Sequence, residues 1–314
     1  MIKFDIQKLP NGLVGFKDNV CYANSVLQLL ISIPDFRQWC LDNHDKNNNN
    51  QILNNLVAFV CCYVNSNSNV DYLWNIHNKL LESIFSGNNI QIKNGVQFDA
   101  SEFLDLMLEN INLNKLVECK TNRTIVVGNK IVATTESRDL VLSLPVMDNC
   151  RQINNLKELM TAYQTPEIVD DYKYDGKIVK AEITSTISTT SKYLIIQLRR
   201  YSNNRQHLSK MNYHIEIPLI ANISKLTNQK NDKIYHLISR INHIGSINNG
   251  HYTSDVYSFN RKLQRWCWYH CSDTNITINP ELIDYPNETG YIYVYKLIPS
   301  IYYSYIFKNI SKNL

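Results

Sequence analysis

Cys21 stands where a helical pattern begins. A thiol there feels the positive end of the helix dipole and the nearby backbone N–H groups. Both lower its pKa, which reaches roughly 3.5–7.5 when a cationic partner is present. Far downstream, His251 lies between Gly250 and Tyr252. If folding brings the two together, the neutral imidazole takes the thiol proton and leaves a thiolate able to attack a carbonyl. Cys21 alone also reads as a buried small hydrophobe. For His44, His77, His207, His214 and His270 a structural role is the default.

These residues need elements to hold them. From Cys21, apolar residues recur at Ala23, Val26, Leu27 and Leu30, the spacing of one helix face. Pro34 is expected to end this helix, and Asp18 or Asn19 to cap its start. A second helix is expected near Asp99, with Ala100, Phe103, Leu104, Met107, Leu108 and Ile111 on one face. Asp99 followed by Glu102 resembles a capping box. From about Thr124 the pattern turns to strands, with Ile-, Val- and Tyr-rich runs at 193–201, 213–218, 234–241, 251–259 and 291–297. Helices first and strands after predict an α+β fold.

Composition narrows the class. The 314 residues are 44% hydrophobic and 19% charged, which supports a large core and not a disordered chain. A net charge of +4 with no dense Lys/Arg block argues against nucleic acid as the main partner. Eight cysteines in this length do not make a disulfide scaffold. The start, Met1-Ile2-Lys3-Phe4-Asp5, lacks the apolar core of a signal peptide. The nearest approach to a membrane span, 53–64, is interrupted by Asn54 and Asn55. The expectation is a soluble cytoplasmic or nuclear monomer that is not secreted and has no membrane partner.

Five ordered segments add a resemblance. Asn19-Val20-Cys21-Tyr22-Ala23-Asn24-Ser25-Val26-Leu27-Gln28 resembles the cysteine box of the ubiquitin-specific proteases. Gln97-Phe98-Asp99-Ala100-Ser101-Glu102-Phe103-Leu104 is similar to a second family segment, and Leu194–Tyr201 to a third. Tyr235-His236-Leu237, His243-Ile244-Gly245, Gly250-His251-Tyr252, Trp268 and Ser272-Asp273 resemble the histidine box. Glu288–Tyr295 resembles the closing strand, so the likeness runs from about Gly12 to Leu297.

The resemblance implies one papain-like catalytic domain. Residues 12–118 would form a helical thumb, 119–190 reduced β fingers, 191–298 an antiparallel β palm and 299–314 a tail. It implies a thiol protease that cleaves after the C-terminal glycine of ubiquitin, acting on ubiquitin or ubiquitinated proteins. A catalytically impaired ubiquitin-binding relative and a protease for another ubiquitin-like modifier are the alternatives.

Cys21 would be the nucleophile and His251 the base, with either Ser272 or Asp273 orienting the imidazole. The family usually has an oxyanion-binding Asn five residues before the cysteine, where this chain has Phe16. That leaves Asn19, also readable as a helix cap, and the Cys21 backbone N–H as donors. Gln97, Asp99, Glu102, His243 and Tyr252 would meet the basic tail of ubiquitin, His243 from a loop. The family's zinc-ribbon Cys-x-x-Cys pairs are absent: Asn122 stands where a partner for Cys119 is needed. No metal and no cofactor are therefore expected. Thr124–Val132 and Lys177–Ile187 would pair as finger strands. The aromatic tail at Tyr302, Tyr303, Tyr305 and Phe307 is expected to pack on the palm.

Overall fold

The structure is a computed structural model. It describes residues 13, 19–43, 49–64, 70–90, 97–111, 113–148, 151–204, 207–227, 232–246, 249–260, 262–279 and 288–303.

Helices come first: α1 (Cys21–Ser32), α2 (Pro34–Asp42), α3 (Gln51–Val64), α4 (Val70–Gly87), α5 (Ala100–Asn110) and the short α6 (Asn114–Val117). Then follow β1 (Cys119–Val127), β2 (Lys130–Asp139), β3 (Leu142–Pro145), β4 (Met147–Asp148), β5 (Arg151–Gln152) and α7 (Leu156–Gln164). The middle of the chain forms β6 (Glu167–Tyr174), β7 (Lys177–Thr190), β8 (Tyr193–Arg199), β9 (Tyr201–Asn204) and β10 (His207–Lys210). The last part holds β11 (Ile220–Asn222), α8 (Ile223–Leu226), β12 (Ile234–Gly245), β13 (Gly250–Asn260), β14 (Arg265–Ser272), β15 (Asn275–Asn279) and β16 (Gly290–Leu297). This is the α+β fold expected from the sequence.

The described residues form two compact units, one from 1–113, 203–210 and 238–293, the other from 114–202, 211–237 and 294–314. In the first unit, α1 is buried from Cys21 to Ile31. Such a helix must satisfy its own polar side chains. Gln28 accepts from the Tyr63 hydroxyl at 2.8 Å, and the Ser25 hydroxyl donates to Tyr22 O at 2.8 Å. Tyr22 meets Phe103 edge-on at 5.4 Å and Phe98 at 5.8 Å, while Phe85 meets Phe98 at 5.7 Å. This aromatic cluster fixes α1 against α4 and α5. Pro34 both follows α1 and opens α2: it occupies the first turn of the second helix, where its missing N–H costs nothing. The strands of this unit are antiparallel, β15-β14-β13 followed by the later part of β12, with His243 opposite Tyr252 and Ile244 opposite His251.

In the second unit, β2-β1-β7-β6 form a four-stranded antiparallel sheet. The expected strand 124–132 is divided by a turn at Gly128, with φ +60. Its first part pairs with β7, Thr124 opposite Thr184, and its last residues belong to β2. The strands of this sheet run from 8 to 14 residues. The run 213–218 is not a strand; it makes only an isolated bridge between Asn155 and Glu216. β3 pairs parallel with β8. In the tail, the Tyr303 hydroxyl accepts from Ile234 N at 3.2 Å and donates to Asp232 O at 3.1 Å; Tyr305 and Phe307 lie outside the described residues. Among the described residues, no helix is long and apolar enough to cross a membrane, and no group of three His, Cys, Asp or Glu side chains is placed to hold a metal ion.

Candidate active site

Cys21 is the first residue of α1. Val20, not Asp18 or Asn19, is the N-cap, and it makes no side-chain cap bond. Asn19 sits one residue earlier, exposed, with φ +67, a left-handed conformation that asparagine tolerates better than most residues. The thiol is only 5% exposed. Burial pushes its pKa above the usual 9.0, a backbone hydrogen bond from Tyr252 opposes this, and the Asp273 charge adds to the rise. Backbone bonds of Cys21 and Tyr22 themselves also favour the thiolate. The low pKa expected from helix position is thus overturned by desolvation, the dominant influence on this thiol.

The Tyr252 backbone at the sulfur places β13 beside the thiol, and His251 is the preceding residue on that strand. His251 Nε2 lies 2.8 Å from Ser272 Oγ. Asp273, the other candidate orienter, makes a different contact. With φ +49 it turns the chain at the end of β14, and its Oδ1 accepts from Asn24 Nδ2 at 2.7 Å. Its carbonyl accepts from Leu13 N at 2.8 Å, and Asn24 Nδ2 also approaches Leu13 O at 3.4 Å. Asp273 therefore ties Leu13 to the helix that carries Cys21.

The strand bearing His251 is held at its start by Gln97. Gly250 N donates to Gln97 Oε1 at 3.1 Å, and Gln97 Nε2 donates back to Gly250 O. A Cβ on Gly250 would come within 2.1 Å of His243 Nε2, so only glycine fits. His243, expected on a loop, lies instead within β12, buried and stacked on Tyr252 with ring centroids 4.4 Å apart. Burial, then Lys210, then His251 lower its pKa to about 4, so it is neutral near pH 7. Lys210 Nζ donates to His243 O at 2.6 Å and Gly245 O at 3.1 Å. Gly245, with φ +110, is the last residue of β12 and pairs with Gly250.

Asp99 caps α5 through Ser101 N at 2.8 Å and Glu102 N at 3.3 Å. It also accepts from Tyr252 OH at 2.8 Å and Tyr291 OH at 3.0 Å. Glu102 stays exposed, and partial burial and Asp99 raise its pKa. Asp105, one turn on, is raised to about 6 by burial and the carboxylates of Glu109, Asp99 and Glu102. Together they make an acidic stripe along α5. Phe16 lies outside the described residues.

The sequence model of the ubiquitin carboxyl-terminal hydrolase family matches residues 11–295. The chain belongs to this family. Ubiquitin hydrolase B of Dictyostelium discoideum is 27% identical over 150 residues, 47% of this chain and 32% of that protein. Ubiquitin carboxyl-terminal hydrolase 4 of Arabidopsis thaliana is 23% identical over 332 residues, covering 87% of this chain and 88% of its own. The chain spans only 11% of the mouse protein of that name. Among solved structures, the fold is similar to the SAGA Ubp8/Sgf11/Sus1/Sgf73 DUB module bound to ubiquitin aldehyde. The TM-score is 0.75 at 20% identity, over 92% of this chain and 70% of that one.

For this ubiquitin hydrolase family member, the structure brings Cys21, His251, Ser272, Asp273, Tyr252 and Asp99 into one neighbourhood. Sequence reading missed Asn24, Lys210 and Tyr291. Asn24 lay within the quoted cysteine box, and Tyr291 within the closing strand. Lys210 had no local signal, because its partners are backbone carbonyls of a distant strand.

Proposed function

We propose that this chain is a cysteine-type deubiquitinase that hydrolyses the bond after the C-terminal glycine of ubiquitin, on ubiquitin itself or on ubiquitinated proteins. The observation that carries the reading is the His251–Ser272 contact on the strand whose next residue, Tyr252, hydrogen-bonds the Cys21 thiol. Since Ser272 engages Nε2, Nδ1 is the nitrogen that takes the thiol proton. The thiolate attacks the glycine carbonyl. The Cys21 N–H, one of the donors a helix start leaves without an internal partner, and the Asn19 side chain receive the developing oxyanion. His251 then returns the proton to the leaving lysine amine, and water hydrolyses the thioester.

Three further features support the substrate class. The Glu102 and Asp105 stripe suits a basic extended tail. Tyr252 and Asp99 form one side of the approach, while Gln97 and His243 hold the strand of the base. The family membership points to the same modifier. No cofactor or metal enters this mechanism, and the protein acts as a cytoplasmic monomer.

The test is ubiquitin carrying a thiol-reactive C-terminal warhead. A covalent adduct that disappears in Cys21→Ala is expected. Binding without an adduct would identify an inactive ubiquitin-binding module, and reaction only with other ubiquitin-like probes would reassign the substrate.

A further inference from the structure

Away from His251, β13 and β14 run out to a hairpin with an unusual tip. Phe259 and Trp266 are opposite each other, as are Tyr257 and Trp268. Trp266 stacks on Tyr257 with centroids 5.2 Å apart and planes 23° apart, and meets Phe259 at 5.9 Å and 68°. Trp268, itself buried, supports Tyr257 at 5.2 Å. Trp266 nevertheless remains 55% exposed, and Leu263 at the turn 48%. Leu263 N donates to the buried Asn260 side chain at 2.9 Å. Lys262 and Arg265 are exposed beside it, and no Asp or Glu occurs between Val256 and Ser272.

Single exposed hydrophobic residues are ordinary on protein surfaces, but here Trp266 and Leu263 stand exposed together at one hairpin. Trp, Tyr and Arg are the residue types that dominate binding hot spots. Here the rings are already immobilised by stacking on paired strands, so little rotamer freedom is lost on contact. The cationic rim selects a partner of opposite charge. Nucleic acid binding draws on about 6–10 phosphate contacts in well-studied cases, and this tip offers two described exposed cations.

We propose that the β13–β14 hairpin docks an acidic polypeptide segment bearing one aromatic or large aliphatic side chain. Trp266 packs against that side chain, and Lys262 and Arg265 pair with the flanking carboxylates. The site lies outside the hydrolytic machinery and does not depend on its activity.

The full chain should be titrated, at low salt, with a fluorescein-labelled peptide of glutamates around one phenylalanine and one leucine. Saturable binding is expected, weakened about 10-fold or more by Trp266→Ala and by the exposed-site change Arg265→Glu. The same peptide with lysines in place of glutamates should not bind. Cleavage of a ubiquitin C-terminal amide should be unchanged in both variants. The proposal is overturned by absence of binding, by equal binding to both variants, or by preference for single-stranded RNA or phosphatidylserine vesicles.

Discussion

Asp273 accepts a hydrogen bond from the Asn24 side chain at 2.7 Å, while the neighbouring Ser272 takes His251 at 2.8 Å. Two adjacent residues thus make different contacts: Asp273 reaches the helix that begins at Cys21, and Ser272 reaches His251, which it would orient under the proposed mechanism. Ser272→Ala should lower kcat roughly 10-fold, the worth of one hydrogen bond, without loss of thermal stability. Asp273→Ala should instead cost about 2 kcal/mol of stability, because it strands a buried Asn24 donor. Ser272→Asp supplies the charge that a serine lacks for an imidazolium and should raise kcat. Steady-state kinetics beside denaturant melts separates the outcomes; equal stability losses for both alanine variants would refute the division.

Gly250 touches the His243 ring too closely for any side chain. Gly250→Ala should displace the start of β13 and with it His251. A misplacement of about 1 Å costs on the order of 100-fold in rate, so kcat/KM should fall by about that factor. Activity close to wild type would mean that His243 moves aside freely.

Lys210 holds two carbonyls of the strand that precedes the turn to His251. Lys210→Met should lower kcat while leaving the affinity of Cys21→Ala protein for ubiquitin unchanged, and Lys210→Arg should recover part of the loss. A parallel fall in affinity would place Lys210 on the substrate instead.

His77 on α4 is 1% exposed, and burial lowers its pKa to about 4. Among the described residues, neither ring nitrogen has a hydrogen-bond partner. The unfolded chain therefore binds this proton at a higher pH than the folded one. Stability fully present above pH 6.5 is lost as pH falls from about 6.5 toward 4, by roughly 3 kcal/mol at the limit. His77→Leu should flatten the decline of Tm between pH 7 and pH 5. A decline as steep as wild type would assign the acid sensitivity elsewhere.

Asp105 behaves in the opposite sense. Its folded-state pKa of about 6 lies above the usual 3.8, so its contribution falls as pH rises from about 4 through 6. Asp105→Asn should raise Tm at pH 7 and leave it unchanged at pH 4. It should also raise KM if the α5 stripe meets the basic tail of ubiquitin.

Local sequence was enough for the family and the order of the parts. Cys21 and His251 stood out through local boxes, and helices followed by strands announced the α+β fold, because periodicity and motif are properties of neighbouring residues. It also placed Asp99 correctly as a helix cap, since capping reaches only two or three positions along the chain. Long-range packing supplied what local pattern cannot contain. Burial of α1 on all sides raised the Cys21 pKa, although its position at a helix start suggested the reverse. The sequence left Ser272 and Asp273 open as partners of His251; in the structure Ser272 makes that contact, and Asp273, in a left-handed turn, bonds Asn24. His243 moved from an expected loop into a buried strand because it faces Tyr252 across a register that only sheet pairing sets. Desolvation, backbone direction at a turn and cross-strand register all depend on residues distant in sequence, and these set the electrostatics around Cys21 and His251.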